Sequence, residues 1–251
     1  MGLKGRQTPV MVGMTNRRRR GSEDEVEMSP SMPRQPEPEF MSDPAEAEAY
    51  AEADFADVNH AFVERLLEQA DLPERAVALD LGTGPGDIPI RLVHERPGWR
   101  VAGVDASSSM LGHAQPAAGR AGRTGSIAFG LADAKVLPFR SQAFEVILSN
   151  SILHHITEVD RFWTELLRVG KPGAPVLLRD LARPAGPEAA RQIVQQYAEH
   201  ESALLRAEFY RSLLSAYTPR EVRTQLDRAG LAGLQVGMVS NRHWDVWGRL
   251  P

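Results

Sequence analysis

The sequence predicts an α/β fold, a mostly parallel sheet with helices on both faces. Three observations carry this. Short apolar runs alternate with amphipathic helical stretches through the middle of the chain. A glycine-rich turn, ALDLGTGPGD over residues 78–87, joins the first apolar run to a helix. Two short strands, 234–239 and 243–249, joined by Ser240-Asn241-Arg242, close the chain.

Size and composition narrow the options. The chain has 251 residues, 42% of them hydrophobic, enough for one substantial core in a domain over residues 39–251. A net charge of -4 gives no global basic footprint for nucleic acid. The lack of cysteine removes disulfides, thiolate zinc sites and cysteine nucleophiles, and suits a reducing cytoplasm. No apolar run is long enough to cross a bilayer, and Arg6 stands where N-myristoylation of Gly2 wants Ser or Thr.

Residues 1–38 read as a disordered tail, with a basic block at Arg17 to Arg20 and an acidic one at Ser22-Glu23-Asp24-Glu25. No apolar segment follows the arginines, as a secretion signal would need. A nucleic acid arm is the competing reading, and a translation start at Met28 or Met32 is another. A first helix is expected over 43–54, from Asp43-Pro44-Ala45-Glu46, and a second over 58–70, with Phe62, Val63, Leu66 and Leu67 on one face. Tyr50 and His60 on these helices either touch a ligand or simply pack.

At the turn, Gly82, Gly84 and Gly86 let the backbone take positive φ and let a ligand lie on the loop. The helix from Asp87, with Pro89 in its first turn, points free N–H groups and a partial positive charge at the same space. A dinucleotide fingerprint would put a glycine where Asp87 stands. This helix carries Ile88, Leu92 and Val93 and stops at Pro97-Gly98. A strand over 99–104 then delivers Asp105, 19 residues beyond Gly86, where a carboxylate can accept both hydroxyls of a ribose or cap the helix from Ser107. The strand over 127–130 leads to Asp133, either an acceptor for an exocyclic amine or part of a surface turn, with the Ala134 N–H beside it.

The strand over 144–149 runs into Asn150-Ser151-Ile152-Leu153-His154-His155, at the sheet edge where ligands of open α/β folds bind. Either histidine has the pKa to take a proton from an attacking hydroxyl, and either can instead serve the loop backbone. No metal is implied, because the pair has no His-Glu-x-x-His context and no evident third ligand. Thr157 is expected to cap a helix bearing Phe162, Leu166, Leu167 and Val169, ended by Gly170-Lys171-Pro172-Gly173. A strand over 176–178 follows, and Arg179, Asp180 and Arg183 beyond it either face a substrate or are solvated. Residues 187–216 read as one or two helices, and Thr218-Pro219-Arg220-Glu221 as a capping box.

Together these segments resemble the class I S-adenosylmethionine (SAM) dependent methyltransferases, over about residues 44–250. The likeness rests on Asp80-x-Gly82-x-Gly84-x-Gly86, on Asp105-Ala106-Ser107-Ser108-Ser109-Met110-Leu111, on ADA…LPF around Asp133, on Asn150-Ser151-Ile152-Leu153-His154-His155, which resembles a Ser-x-x-x-His-His stretch, and on the terminal hairpin. RVGKPGA is similar to the family's turn into its fifth strand, with Gly170 where leucine is usual. The resemblance implies a Rossmann-like, seven-stranded, mostly parallel sheet with an antiparallel C-terminal strand. It implies SAM as methyl donor, cradled by Gly82, Gly84 and Gly86, with Asp80 supporting the loop near the ammonium. Asp105 and Ala106 would hold the ribose, Asp133 and Ala134 the adenine, and Asn150 would complete the cofactor contacts. His154 and His155 become the catalytic candidates, and 187–216 a lid over a small-molecule acceptor. The quinone, sterol and natural-product members are the closest in pattern, and the lack of Asn-Pro-Pro-Tyr counts against exocyclic or amide nitrogen acceptors. Nucleic acid is not an expected partner, and a homodimer is left open. The rival readings are a non-catalytic SAM-binding subunit, an NAD-dependent oxidoreductase, and an RNA methyltransferase using the arginine run.

Overall fold

The computed structural model describes residues 32–38, 48–51, 53 and 55–251. Most of the helix expected over 43–54 lies outside these residues, but 48–51 are helical. The arginine run also lies outside them.

Seven strands form one sheet: β1 (Val77–Leu81), β2 (Arg100–Asp105), β3 (Ile127–Leu131), β4 (Val146–Asn150), β5 (Pro175–Leu181), β6 (Gln235–Met238) and β7 (His243–Arg249), in the order β3-β2-β1-β4-β5-β7-β6. β1 to β5 pair in parallel, whereas β7 runs antiparallel to β5 and β6. The chain steps outward from β1 to β3, then returns to the other side of β1 with β4. The carboxyl ends of β1 and β4 therefore diverge, and a crevice opens where the order reverses.

The central strands alternate between two buried faces, as a sheet covered on both sides requires. Ala78, Val146, Leu148 and Leu177 point to one layer, with Phe62, Leu66 and Leu92. That layer is covered by α1 (Ala56–Leu67) and α2 (Asp87–Glu95). Leu79, Leu81, Ile147 and Val176 point to the other, with Phe162, Leu166 and Trp244. α4 (Val159–Val169) and α7 (Pro219–Arg228) cover it, while α3 (Ser108–Arg120) packs beside β2 and β3. Buried tryptophans keep their N–H groups paired: Trp163 donates to Gln225 at 3.0 Å and Trp244 to the Tyr217 carbonyl at 3.0 Å.

Two helices, α5 (Pro187–Ala198) and α6 (Ala203–Ser215), stand apart from the sheet layers with a small core of their own, including Leu181, Ala190 and Leu213. Met32 packs against that core. Thr218 caps α7 with the expected box, its hydroxyl accepting from Glu221 N while Glu221 accepts from Thr218 N. Thr157 does not hold the expected cap position: α4 starts at Val159 after Glu158, one residue further on than the capping pattern places it. Gly170 has a packing reason, since a Cβ there would lie 2.2 Å from Leu250 and 2.8 Å from Ile147. Among the described residues no helix is long and apolar enough to cross a membrane.

Candidate active site

The glycine turn is built mainly from backbone hydrogen bonds. The N–H groups of Gly82 and Thr83 both donate to the Val104 carbonyl, at 2.8 and 3.0 Å, which ties the turn to the end of β2. Its three glycines have φ of 72°, 53° and 85°. They are not equivalent. A Cβ on Gly82 would come within 1.9 Å of Ile152, and one on Gly86 within 2.9 Å of Phe129, whereas one on Gly84 would meet nothing within 4 Å. Gly82 and Gly86 are therefore glycines for packing, and Gly84 presents bare backbone to open space.

Asp105, at the end of β2, spans this turn and the next. It accepts from Gly84 N and from Ser107 N, each at 2.8 Å, and Ser107 in turn caps α3. The cap of α3 is thus Ser107 itself, and Asp105 supports it from one side rather than capping the helix. Burial pushes its carboxyl up, with the N–H groups of Ser107, Gly84 and Ala106 acting the other way. Each of its oxygens keeps a lone pair for a further donor.

These residues line one side of a cavity of about 330 Å³ that opens at the crevice between β1 and β4. Gly82, Gly84, Asp105, Ala106, Asp133, Ala134 and Asn150 all reach its wall. Asp105 and Asp133 therefore share a single hollow, as a nucleoside held by both would require. Asp133 accepts from Lys135 N at 2.8 Å, and its other oxygen lies 3.2 Å from the Lys135 ammonium. The amide nitrogen of Asn150 points to Asn59 at 3.4 Å, and its oxygen is buried with no partner among the described residues.

Two expected cofactor residues stand behind this wall. Gly86 packs against Phe129 and Ala114 as the left-handed N-cap of α2. Asp80 lies beneath the turn, 1% exposed, with neither oxygen hydrogen-bonded among the described residues. Burial lifts its carboxyl to about 7, against the nearby Thr83 hydroxyl and helped by the Asp105 charge. Tyr50 does reach the cavity, whereas His60 is exposed on α1 and pairs with Glu64 at 3.3 Å.

The opposite wall holds Ile152, His154 and His155 from the loop after β4, Tyr197 of α5, Phe209 of α6 and Arg242. The loop departs from β4 through Ser151, which has φ of 62°, a strained backbone for a non-glycine residue. His154 is 4% exposed, and its Nδ1 stands 2.5 Å from Asp180 Oδ1. Burial opposes a charge on His154, but Asp180, and Glu37 behind it, outweigh burial and raise its pKa. His155 goes the other way: burial and the His154 charge push it down to about 3.

Asp180 does not face a substrate, correcting one expectation. It is buried and also accepts from Leu153 N at 2.5 Å and Leu181 N at 2.6 Å, so it fixes the histidine loop. Its two companions are likewise used inside the protein. Arg179 makes a bidentate pair with Asp245 at 2.7 and 2.9 Å, and Arg183 holds the Ala216 carbonyl and Glu221.

Sequence reasoning missed the segment 32–38, which it left in the tail. Arg34 donates to the carbonyls of Ser215 at 2.5 Å and His154 at 2.6 Å and lies over the Tyr217 ring. Gln35 N donates to the Leu214 carbonyl, and Glu37 accepts from Ser212 and stands 3.2 Å from His155 Nδ1. The segment thus straps α6 to the histidine loop. Asn59 and Arg242 were also missed, neither in a motif that points to the site, and Ile152 was not singled out within its stretch.

An open sheet with its last strand reversed, and a nucleoside-sized hollow at a glycine turn, define the class. Residues 79–178 match the family described as "Methyltransferase domain". It is 32% identical over 115 residues to a demethylmenaquinone methyltransferase of Roseiflexus sp., covering 46% of this chain and 47% of that one. It is 27% identical over 181 residues to a ubiquinone/menaquinone biosynthesis C-methyltransferase of Vibrio parahaemolyticus, covering 68% and 67%. The chain thus spans about half the length of the Roseiflexus relative. A SAM-dependent methyltransferase structure from Aquifex aeolicus superposes with a TM-score of 0.61 at 20% identity, over 83% of this chain and 99% of that one, a likeness of fold.

Proposed function

We propose that the protein transfers the methyl group of SAM to a small-molecule acceptor and releases S-adenosylhomocysteine. The observation that carries this is the shared hollow: Asp105, Asp133 and the bare backbone of Gly84 face one space. In this reading Asp105 accepts from the ribose hydroxyls and Asp133 from the adenine amino group, with Ala106, Ala134 and Asn150 beside them. Gly82 and Gly84 bed the methionine part, Gly86 shapes the turn from behind, and Asp80 lies below the ammonium.

The acceptor then occupies the other end, between the histidine loop and the lid of α5 and α6. An acceptor lone pair forms a bond to the methyl carbon as the carbon–sulfur bond breaks, and its electron pair stays on sulfur. A hydroxyl or acidic carbon acceptor gives up its proton to a nearby group, and His154 and His155 are the candidates within the wall. The protein's main contribution is alignment and exclusion of water. The two relatives described above carry menaquinone or ubiquinone in their names, which favours a quinone-type acceptor. A cytoplasmic location fits a chain without cysteine.

Calorimetric titration with S-adenosylhomocysteine, followed by radiolabelled methyl transfer from SAM to cell extract, tests the reading. Asp105→Ala should weaken nucleoside binding by about 1–3 kcal/mol, the cost of losing hydrogen bonds to a charged group. Unchanged affinity would remove Asp105 from the role given to it.

A further inference from the structure

Three donor atoms converge at the acceptor end. Glu37 Oε1 lies 3.5 Å from His154 Nε2 and 3.2 Å from His155 Nδ1, and one ligand atom from each residue falls within 4.8 Å of the other two. The 3.5 Å separation at His154 is long for a hydrogen bond; at His155, Nδ1 stands 3.2 Å from Glu37 and also 3.2 Å from the Pro38 carbonyl, a bond that a cation on Nδ1 would replace. The first separation is, however, the edge of a coordination polyhedron: with metal bonds of about 2.0–2.2 Å, neighbouring tetrahedral ligands stand roughly 3.4 Å apart.

The surroundings favour the same conclusion. His154 uses Nδ1 toward Asp180, which leaves Nε2 directed at Glu37. A carboxylate behind a ligating imidazole, fixing its tautomer, is the usual support of a metal-bound histidine. Asp180 is itself fixed by backbone N–H groups, and the hydroxyls of Ser212 and Ser215 hold Glu37. His154 and His155 face the cavity, so positions remain for an outside ligand. The Arg34 guanidinium bonds the His154 carbonyl rather than any of the donor atoms.

We propose that Glu37, His154 and His155 bind a first-row divalent cation at the acceptor end of the cavity, with Asp180 orienting His154. Two imidazole nitrogens and one carboxylate, with no sulfur, suit zinc and its neighbours rather than calcium or magnesium. No third ligand is evident near the pair in the sequence because Glu37 lies far upstream, in the strap. The site itself does not depend on the methyltransferase reading. Its chemical use does: an acceptor oxygen bound to the cation would ionise more readily, and the cation would take over the acidifying role from an imidazole.

The test uses the full chain, stripped with a chelator and dialysed, then titrated calorimetrically with Zn²⁺ and followed by visible absorption with Co²⁺. One ion per chain is expected, with a Co²⁺ spectrum of four- or five-coordinate type. Glu37→Gln and His155→Ala should each weaken binding about tenfold or more, and Asp180→Asn by about 10- to 100-fold. His113→Ala, at an exposed histidine on α3, should leave it unchanged. Absence of stoichiometric binding in the wild-type chain overturns the proposal outright, as does equal affinity in Glu37→Gln and His155→Ala chains whose thermal melts match wild type. S-adenosylhomocysteine titration of the stripped chain separates the two readings: retained nucleoside binding with no cation site sinks only this one.

Discussion

The two ends of the cavity are built in different ways. The nucleoside end is made of strand termini and backbone: Gly84 offers bare main chain, and Asp105 is held by two N–H groups within a few residues of β1 and β2. The acceptor end is assembled from side chains brought from Glu37, His154, Asp180 and Arg242, which only the fold unites. In the proposed reading, the cofactor would thus meet mainly main chain and the acceptor mainly side chains.

The sharpest way to break this contrast lies within the glycine turn. Gly82→Ala drives a Cβ into Ile152 at a positive φ, and should destabilise the protein by about 3 kcal/mol or more. Gly84→Ala meets no neighbour, so its stability cost should be only the left-handed backbone, about 1–2 kcal/mol, while its methyl group intrudes on the ligand. Thermal melts and nucleoside titration of the two variants should therefore diverge, Gly84→Ala losing about tenfold in affinity. Equal behaviour would mean that Gly84 is only another packing glycine.

A second effect concerns pH. Asp80 is lifted to about 7 by burial, above its unfolded value. The folded chain then holds a proton that the unfolded chain releases near pH 4, so the stability tied to Asp80 is full below pH 4 and is lost as pH rises toward 7. Asp80→Asn should flatten that part of the melting profile. In the wild-type chain at pH 6, binding of a ligand with a cationic ammonium should release a proton, which calorimetry in buffers of different ionisation heat detects. An unaltered slope in Asp80→Asn would locate the pH dependence elsewhere.

The smallest effect is expected at the strap. Arg34→Ala removes bonds to the Ser215 and His154 carbonyls, each part of the acceptor end. It should cost about 1–2 kcal/mol of stability and leave S-adenosylhomocysteine affinity within about twofold. A large loss of nucleoside binding would show that the two ends are coupled.

The same contrast explains what was legible in the sequence. Strand alternation, the glycine turn and the acid at the end of β2 are local patterns, with partners a short distance along the chain. The shared wall of Gly82, Gly84, Asp105 and Asp133 followed from them, with Gly86 and Asp80 standing one layer further back than expected. The terminal hairpin was legible as well, because β6 and β7 are contiguous strands. The strap was not: a Pro-rich stretch carries no periodicity, and its order comes from Arg34 and Glu37 finding carbonyls and hydroxyls on α6 and the histidine loop. Charges at the end of β5 misled for the converse reason. Asp180, Arg179 and Arg183 read as substrate-facing or solvated, but Arg179 pairs with Asp245 of β7, Asp180 with His154 and Arg183 with Glu221 of α7.

The central claim is that one hollow between Asp105 and Asp133 holds a sulfonium nucleoside. Calorimetric titration of the full chain with S-adenosylhomocysteine, beside NAD as control, tests it most directly. One site per chain for the former, weakened in Asp105→Ala, and no heat from the latter is the expected result. No binding of S-adenosylhomocysteine, or binding indifferent to Asp105→Ala, would contradict it.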